Sequence, residues 1–152
     1  MTLFLSTFMN KLDKKGRVSV PSSFRLALSG QSFQGLVVFR SYKFPAIEGM
    51  GMSRMEQLSQ SVDQLDLFSD TQDDFTATIF ADSHMLSFDG DGRIILPELL
   101  IQHAQIENNV AFVGRGATFQ IWNGEAFEAH QEKARQRIQE KQSTLKLKVD
   151  HA

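Results

Sequence analysis

The sequence predicts an α+β fold in which a β hairpin is duplicated to build a barrel of pseudo-two-fold symmetry with helices at its margin. Three observations carry that expectation. Residues 13–21 read Asp-Lys-Lys-Gly-Arg-Val-Ser-Val-Pro and residues 89–97 read Asp-Gly-Asp-Gly-Arg-Ile-Ile-Leu-Pro, so the pattern D-x-x-G-R-x-x-x-P occurs twice, with its starts at 13 and 89 in a chain of 152 residues. Phe4 and Phe80, and Met9 and Met85, repeat at the same spacing. Both motifs lie between β-rich segments. Finally, 41% hydrophobic and 22% charged residues describe a chain with a packed core. A strand-rich unit of about 40 residues closes no core alone, so the two copies must pack on one another, side by side or interleaved.

Each element follows from local chemistry. Asp at the first turn position accepts backbone bonds from within the turn, and Gly three residues on tolerates positive φ. Asp13 with Gly16, and Asp89 with Gly92, therefore shape two hairpin tips. Ser6–Met9 and Val18–Val20 flank the first tip, and Met85–Phe88 and Ile94–Leu96 the second; all four read as strands. Pro21 and Pro97 end the ladders and suit the first turn of short helices over Ser22–Leu28 and Glu98–His103. Gly35–Phe39 and Asn109–Val113 follow as strands. Longer helices are expected over 50–67, where Met52, Met55, Leu58, Val62 and Leu65 share a face, and over 124–142, with Ala126, Phe127, Ala134 and Ile138. The units expected are thus 1–68 and 75–142, each with its helix, and a charged, poorly ordered tail over 143–152.

The net charge of -2 conceals opposed regions. Residues 1–45 hold seven basic side chains, Lys11, Lys14, Lys15, Arg17, Arg25, Arg40 and Lys43, against the single acid Asp13. Residues 46–92 hold ten acids against Arg54, and residues 93–152 are nearly balanced. A basic start suits an anionic partner, and an acidic middle suits head-to-tail contact between copies. An unevenly charged solvated surface would look the same.

At each tip Asp braces an Arg four residues later through a charge-assisted bond. Arg17 shares its tip with Lys14 and Lys15, which makes a preoriented, phosphate-contacting cluster of three cations. Arg93 stands beside Gly90 and Asp91, a neutral to acidic tip expected to contribute less. A turn-stabilising ion pair accounts for either motif taken singly.

Three stretches together resemble the MraZ family of bacterial transcriptional regulators, distant relatives of the AbrB and SpoVT group of swapped-hairpin DNA-binding proteins. They are Phe8-Met-Asn-Lys-Leu-Asp-Lys-Lys-Gly-Arg-Val-Ser-Val-Pro21 with Phe24-Arg25 following, Leu86-Ser-Phe-Asp-Gly-Asp-Gly-Arg-Ile-Ile-Leu-Pro97, and Val113-Gly114 through Phe119-Gln-Ile-Trp122. The resemblance spans almost the whole chain. It implies a swapped-hairpin, AbrB-like form of the duplicated barrel, and a regulator that represses its own division and cell-wall gene cluster. The partners it implies are double-stranded promoter DNA, read as short direct repeats, and further copies of the chain in a ring-shaped homo-oligomer. The family's DNA-contacting arginine falls on Arg17 and its counterpart on Arg93, with Asp13 and Asp89 shaping the turns. Lys14 and Lys15 join the site on charge and placement alone. Asp91 departs from a symmetrical basic pattern, which turns the second tip toward either DNA or a neighbouring subunit.

Other functions find less in the sequence. No cysteine is present, which excludes thiolate nucleophiles, disulfides and cysteine-ligated metals. His84, His103, His130 and His151 lack ligand spacing, so no metal or other cofactor is expected. Asp63, Asp66, Asp70, Asp73 and Asp74 lack the glycine and terminal glutamate of a calcium loop and read as a solvated linker. The aspartates and arginines of the tips have no nucleophile beside them, so an enzyme is not expected. No stretch approaches the roughly 18 apolar residues of a membrane span, and residues 1–10 lack a basic or strongly apolar signal, so a cytoplasmic protein without a membrane partner is expected, and the resemblance to DNA-binding regulators implies association with the nucleoid. The alternative from a different class is an antitoxin-like module that binds another protein.

Overall fold

The computed structural model describes residues 2–148. Its elements in chain order are β1 (Thr7–Lys11), β2 (Arg17–Ser19), α1 (Ser22–Leu28), β3 (Gly35–Arg40), β4 (Ile47–Met50), α2 (Met52–Asp63) and α3 (Asp70–Phe75). After a π-helical turn, Thr76–Phe80, come β5 (His84–Ser87), β6 (Arg93–Ile95), α4 (Glu98–Ala104), β7 (Asn109–Gly114), β8 (Phe119–Asn123) and α5 (Gly124–Lys141). This is an α+β protein with antiparallel strands throughout. The motif spacing recurs in the helices, since α1 starts at 22 and α4 at 98.

The two copies cross over one another. β1 pairs with β7 of the second copy, Thr7 opposite Val113 and Lys11 opposite Asn109. β5 of the second copy pairs reciprocally with β3 of the first, Leu36 opposite Leu86. β2 and β6 pair only with each other, Val18 opposite Ile94. Strands of the two copies thus interleave, and the hairpins expected from the sequence are corrected: β1 does not pair with β2, nor β5 with β6, because each strand finds its partner in the other copy. The ladders do not close into a barrel: six strands run β1-β7-β8-β4-β3-β5, and β2 with β6 forms a separate two-stranded ribbon. The tip turns redirect the chain between β1 and β2 and between β5 and β6, so that the three-residue strands that follow pair with each other and not with the larger sheet.

The core sits on the pseudo-two-fold axis and is built from equivalent positions of both copies. Val18 and Ile94 are each 1% exposed, and Val20, Leu96, Phe24, Leu100 and Leu28 pack with them. Phe24 lies at the centre, with its ring centroid 5.2 Å from Phe4, 5.3 Å from Phe119, 5.7 Å from Phe8 and 6.3 Å from Phe112. Burying one such side chain contributes about 1.5–3 kcal/mol.

Several elements differ from the sequence expectation. The helix expected over 50–67 spans Met52–Asp63, because residues 47–50 are strand β4. Gly49 explains the strand: a Cβ there would stand 2.4 Å from the Phe119 ring, so the bare backbone lets β8 lie against it. β8 itself follows the tight turn after Gly114. The acidic linker is partly helical. Ser69 caps α3 by accepting a bond from the Gln72 N–H at 3.2 Å, and the first-turn acids Asp70 and Asp73 favour the helix N-terminus. Phe68 precedes that cap with φ of 64° and is 96% exposed.

Helix α5 docks on β7 and β8 through an aromatic cluster. Trp122 is buried, and His130 stacks on it with centroids 4.7 Å apart, beside Phe44 and Phe127. Burial, and then the charges of Arg137, Arg115 and Lys43, hold the His130 imidazole below the usual histidine range. Residues 143–148 have no regular structure and are exposed, while the rest of the expected tail, with His151, lies outside the described residues. No helix among the described residues is long and apolar enough to cross a membrane.

Candidate nucleic-acid interface

The two motifs fold into closely matched turns. At the first, the Gly16 N–H donates to the Asp13 carbonyl at 3.1 Å and the Asp13 N–H to the Arg17 carbonyl at 2.9 Å. The Asp13 carboxylate fills the turn, with Oδ1 accepting from the Lys15 and Arg17 N–H groups at 2.9 and 2.8 Å, and Oδ2 accepting from Arg17 Nε at 2.6 Å. At the second, Asp89 Oδ1 accepts from the Asp91 and Arg93 N–H groups, both at 2.9 Å, and Oδ2 from Arg93 Nε at 3.0 Å. Gly16 and Gly92 take φ of 80° and 75°, the left-handed conformation that glycine adopts without strain. These backbone bonds from Arg17 and Arg93 are the largest influence holding the Asp13 and Asp89 carboxyls below the usual carboxylate range, and the guanidinium contacts add to it.

The tips are cross-pinned. The Leu96 N–H donates to the Gly16 carbonyl at 2.8 Å, and the Val20 N–H to the Gly92 carbonyl at 3.1 Å. In the β2–β6 ribbon, Val18 and Ile94 face the core while Arg17, Ser19, Arg93 and Ile95 face outward. Arg17 lies opposite Ile95 and Arg93 opposite Ser19, so the two arginines are diagonal neighbours on one outer face, their Cα atoms about 7–8 Å apart. Lys14 and Lys15 are exposed on the turn that leads into Arg17, and both arginines are half-buried; because β2 and β6 are antiparallel, the second tip enters the ribbon from its other end.

The tips differ in how their charge is committed. Arg17 meets one carboxylate through Nε alone, and among the described residues its two terminal nitrogens have no protein partner. Arg93 is held by two: Asp89 at Nε, and Asp91 at Nη2 at 3.3 Å. The first tip therefore offers a fork of N–H donors that fits a phosphate or the edge of a guanine, while the second has its guanidinium more fully engaged.

One residue beside the tips was not picked out from the motif. Arg25, on α1 of the first copy, lies over the second tip: its guanidinium occupies the space that a side chain on Gly92 would need, Cζ standing 2.7 Å from an ideal Cβ there, and its Nε donates to the Val20 carbonyl at 3.2 Å. The sequence offered only its membership of the basic start and its place in Phe24-Arg25 after the first motif, since its position over the second tip depends on the crossing of the two copies. By contrast, Arg40 of the same stretch is removed from the surface charge by a two-pronged bond to Asp82, Nη2 to Oδ1 at 2.7 Å.

The chain is similar to known proteins over almost its whole length. The family model described as "MraZ protein, putative antitoxin-like" matches residues 79–149. The protein named transcriptional regulator MraZ from Rickettsia akari (strain Hartford) is 42% identical over 146 residues, covering 96% of this chain and 98% of that protein. Its namesake from Rickettsia bellii (strain OSU 85-389) is 44% identical over 147 residues, with 96% and 98% covered. That from Pelagibacter ubique (strain HTCC1062) is 44% identical over 144 residues, covering 95% of this chain and 93% of the relative.

Proposed function

The chain belongs to the MraZ family, and from that premise we propose that it is a sequence-specific, DNA-binding transcriptional regulator whose reading head is the first hairpin tip. Its relatives carry the name of a regulator, a non-enzymatic class. The observation that carries the reading is the Arg17 guanidinium, oriented by Asp13 and presented beside Lys14 and Lys15 with its terminal nitrogens uncommitted.

Lys14 and Lys15 would contact phosphates, and Arg17 would enter the major groove, where two N–H groups can meet O6 and N7 of one guanine. Arg93 would support the same surface as a weaker contact. A tip of three cations releases few counterions, with a salt slope of about -3 on a double-logarithmic plot, so one protomer binds weakly. Several tips on a ring-shaped homo-oligomer raise the effective concentration for consecutive direct repeats, so spacing contributes as much to affinity as any single contact. We take 1–68 and 75–142 as the two units of the protomer and 143–152 as its tail. The regulated DNA would be the promoter of the chain's own division and cell-wall cluster, which places the protein on the nucleoid in the cytoplasm, acting as a repressor.

The test is fluorescence anisotropy on duplex DNA from upstream of the protein's own gene, against scrambled DNA, over a salt series. Selective, salt-sensitive binding that disappears with Arg17→Ala supports the reading. A folded protein with no selectivity at any modest salt overturns it. The antitoxin-like wording of the family description favours a protein partner as the second reading, which that failure would bring forward.

A further inference from the structure

A cavity of about 300 Å³ opens between the β3–β4 loop, α2 and the β7–β8 turn. Its inner wall is apolar, formed by Phe39, Met50 and Ile79, all buried, together with Leu58. Three cations from three separate elements line the rest: Lys43 from the β3–β4 loop, Arg54 from the first turn of α2 and Arg115 from the β7–β8 turn. None of the three is ion-paired with an acid among the described residues.

Two details show that this charge is unspent. Arg54 donates through Nη1 to Gln57 Oε1 at 3.1 Å, yet its Nε is fully buried and has no partner among the described residues. A buried donor left without an acceptor destabilises the fold that holds it, so the guanidinium is incompletely satisfied by the protein itself. Glu48, the one acid lining the cavity, is held by a neutral group instead of a cation: both of its oxygens accept from Gln120 Nε2 at 3.0 Å. Gln120 is itself fixed, since its Oε1 accepts from Trp122 Nε1 at 2.8 Å. The adjacent cavity at Arg40 makes the contrast, because there Asp82 already occupies the guanidinium.

We propose that this cavity is a binding site for a small organic anion, a phosphate or carboxylate head on an apolar body, with Arg54 and Arg115 meeting the head and the Phe39, Met50 and Ile79 wall covering the body. Its volume lies at the lower end of the roughly 300–1,000 Å³ typical of ligand sites, which suits a single ring or a short chain. The proposal is independent of the DNA-reading tip, which uses none of these residues.

The full-length protein would be titrated with phenyl phosphate, phenylacetate, inorganic phosphate and benzyl alcohol by calorimetry. The indole N–H resonance of Trp122, the only tryptophan, serves as a reporter through Gln120 and Glu48. At least one aryl anion is expected to bind about tenfold more tightly than inorganic phosphate and than benzyl alcohol, and to shift the Trp122 resonance. Whichever aryl anion binds identifies the head group. Arg54→Gln and Arg115→Gln are each expected to weaken that binding about tenfold, the scale of one charge-assisted hydrogen bond. Arg115 is exposed, so its substitution keeps the test open if Arg54→Gln does not fold. Binding of neither aryl anion, inorganic phosphate binding as well as the aryl anions, or equal binding by Arg115→Gln would each overturn the proposal.

Discussion

The first and second hairpin tips share one backbone and differ in charge. Both use Asp to bind two backbone N–H groups and an arginine Nε, and both turn through a left-handed glycine. The first then adds Lys14 and Lys15, whereas the second adds Gly90 and Asp91, with Asp91 taking up Arg93 Nη2. The second tip regains a cation only because Arg25 of the first copy reaches over Gly92. At the equivalent place, 76 residues on, stands Ile101, so the first tip receives no such loan. Duplication thus preserved the turn, where geometry is demanding, while the solvent-facing positions diverged.

That contrast can be broken at its base or sharpened at its tips. The largest effect is expected from Phe24→Ala in the core beneath the ribbon. Losing a ring that packs on Phe4, Phe8, Phe112 and Phe119 should cost about 3–5 kcal/mol in urea denaturation. The equivalent Leu100→Ala, a smaller side chain, should cost about 2–5 kcal/mol and fall below it.

Next comes DNA discrimination. By anisotropy, Arg17→Ala should lose about 1–3 kcal/mol of selectivity, and Arg93→Ala distinctly less. An equal loss from both would show that the tips act alike despite Asp91. Gly16→Ala should cost about 1–2 kcal/mol of stability, since the left-handed backbone and the Leu96 carbonyl 3.3 Å away both resist a methyl group; thermal melts at constant pH would measure it. A smaller effect should come from Asp91→Asn, which removes one charge from the second tip and loosens its hold on Arg93 Nη2, since an amide oxygen accepts more weakly than a carboxylate. DNA affinity should rise about two- to fivefold at low salt, and the gain should shrink as salt is added.

Acid should separate the turns least of all. The carboxyls of Asp13 and Asp89 lie below their ordinary range in the folded protein, so the stability they supply is complete above that range and is lost as pH falls through the depressed values. The amide resonances of Gly16 and Gly92 should therefore stay put through mildly acidic pH and move together only in the strongly acidic region.

Much of this was legible in the sequence because it is local. The D-x-x-G-R spacing defines a turn by itself, and Pro21 and Pro97 mark the starts of α1 and α4 at the residues observed. β4 was hidden because Ile47–Met50 is short and runs straight into an amphipathic helix, and its identity as a strand depends on Phe119, some seventy residues away. α3 was hidden because its evidence is a Ser69 cap within a run that reads as solvated charge. The separate ribbon depends on β2 pairing with β6 some seventy residues away, which periodicity does not show. Arg25 and the cation-lined cavity are products of tertiary placement, Arg25 meeting a turn from the other copy and the cavity drawing its lining from several separate segments.

The exchange of first strands also governs how the protein comes into being. β1 finds its hydrogen-bonding partner about a hundred residues later in β7, and β2 waits for β6. As the chain leaves the ribosome, β1 and β2 emerge before the strands they pair with, and both ladders stay open until β6 and β7 of the second copy have been synthesised. Such long-range closure carries a large entropic barrier and makes folding slow relative to helical proteins of similar size. The same arrangement makes the two halves complements: cut between residues 68 and 75, each would keep one strand pair of its own, β3–β4 or β7–β8, while β1, β2, β5 and β6 would find their partners only in the other half.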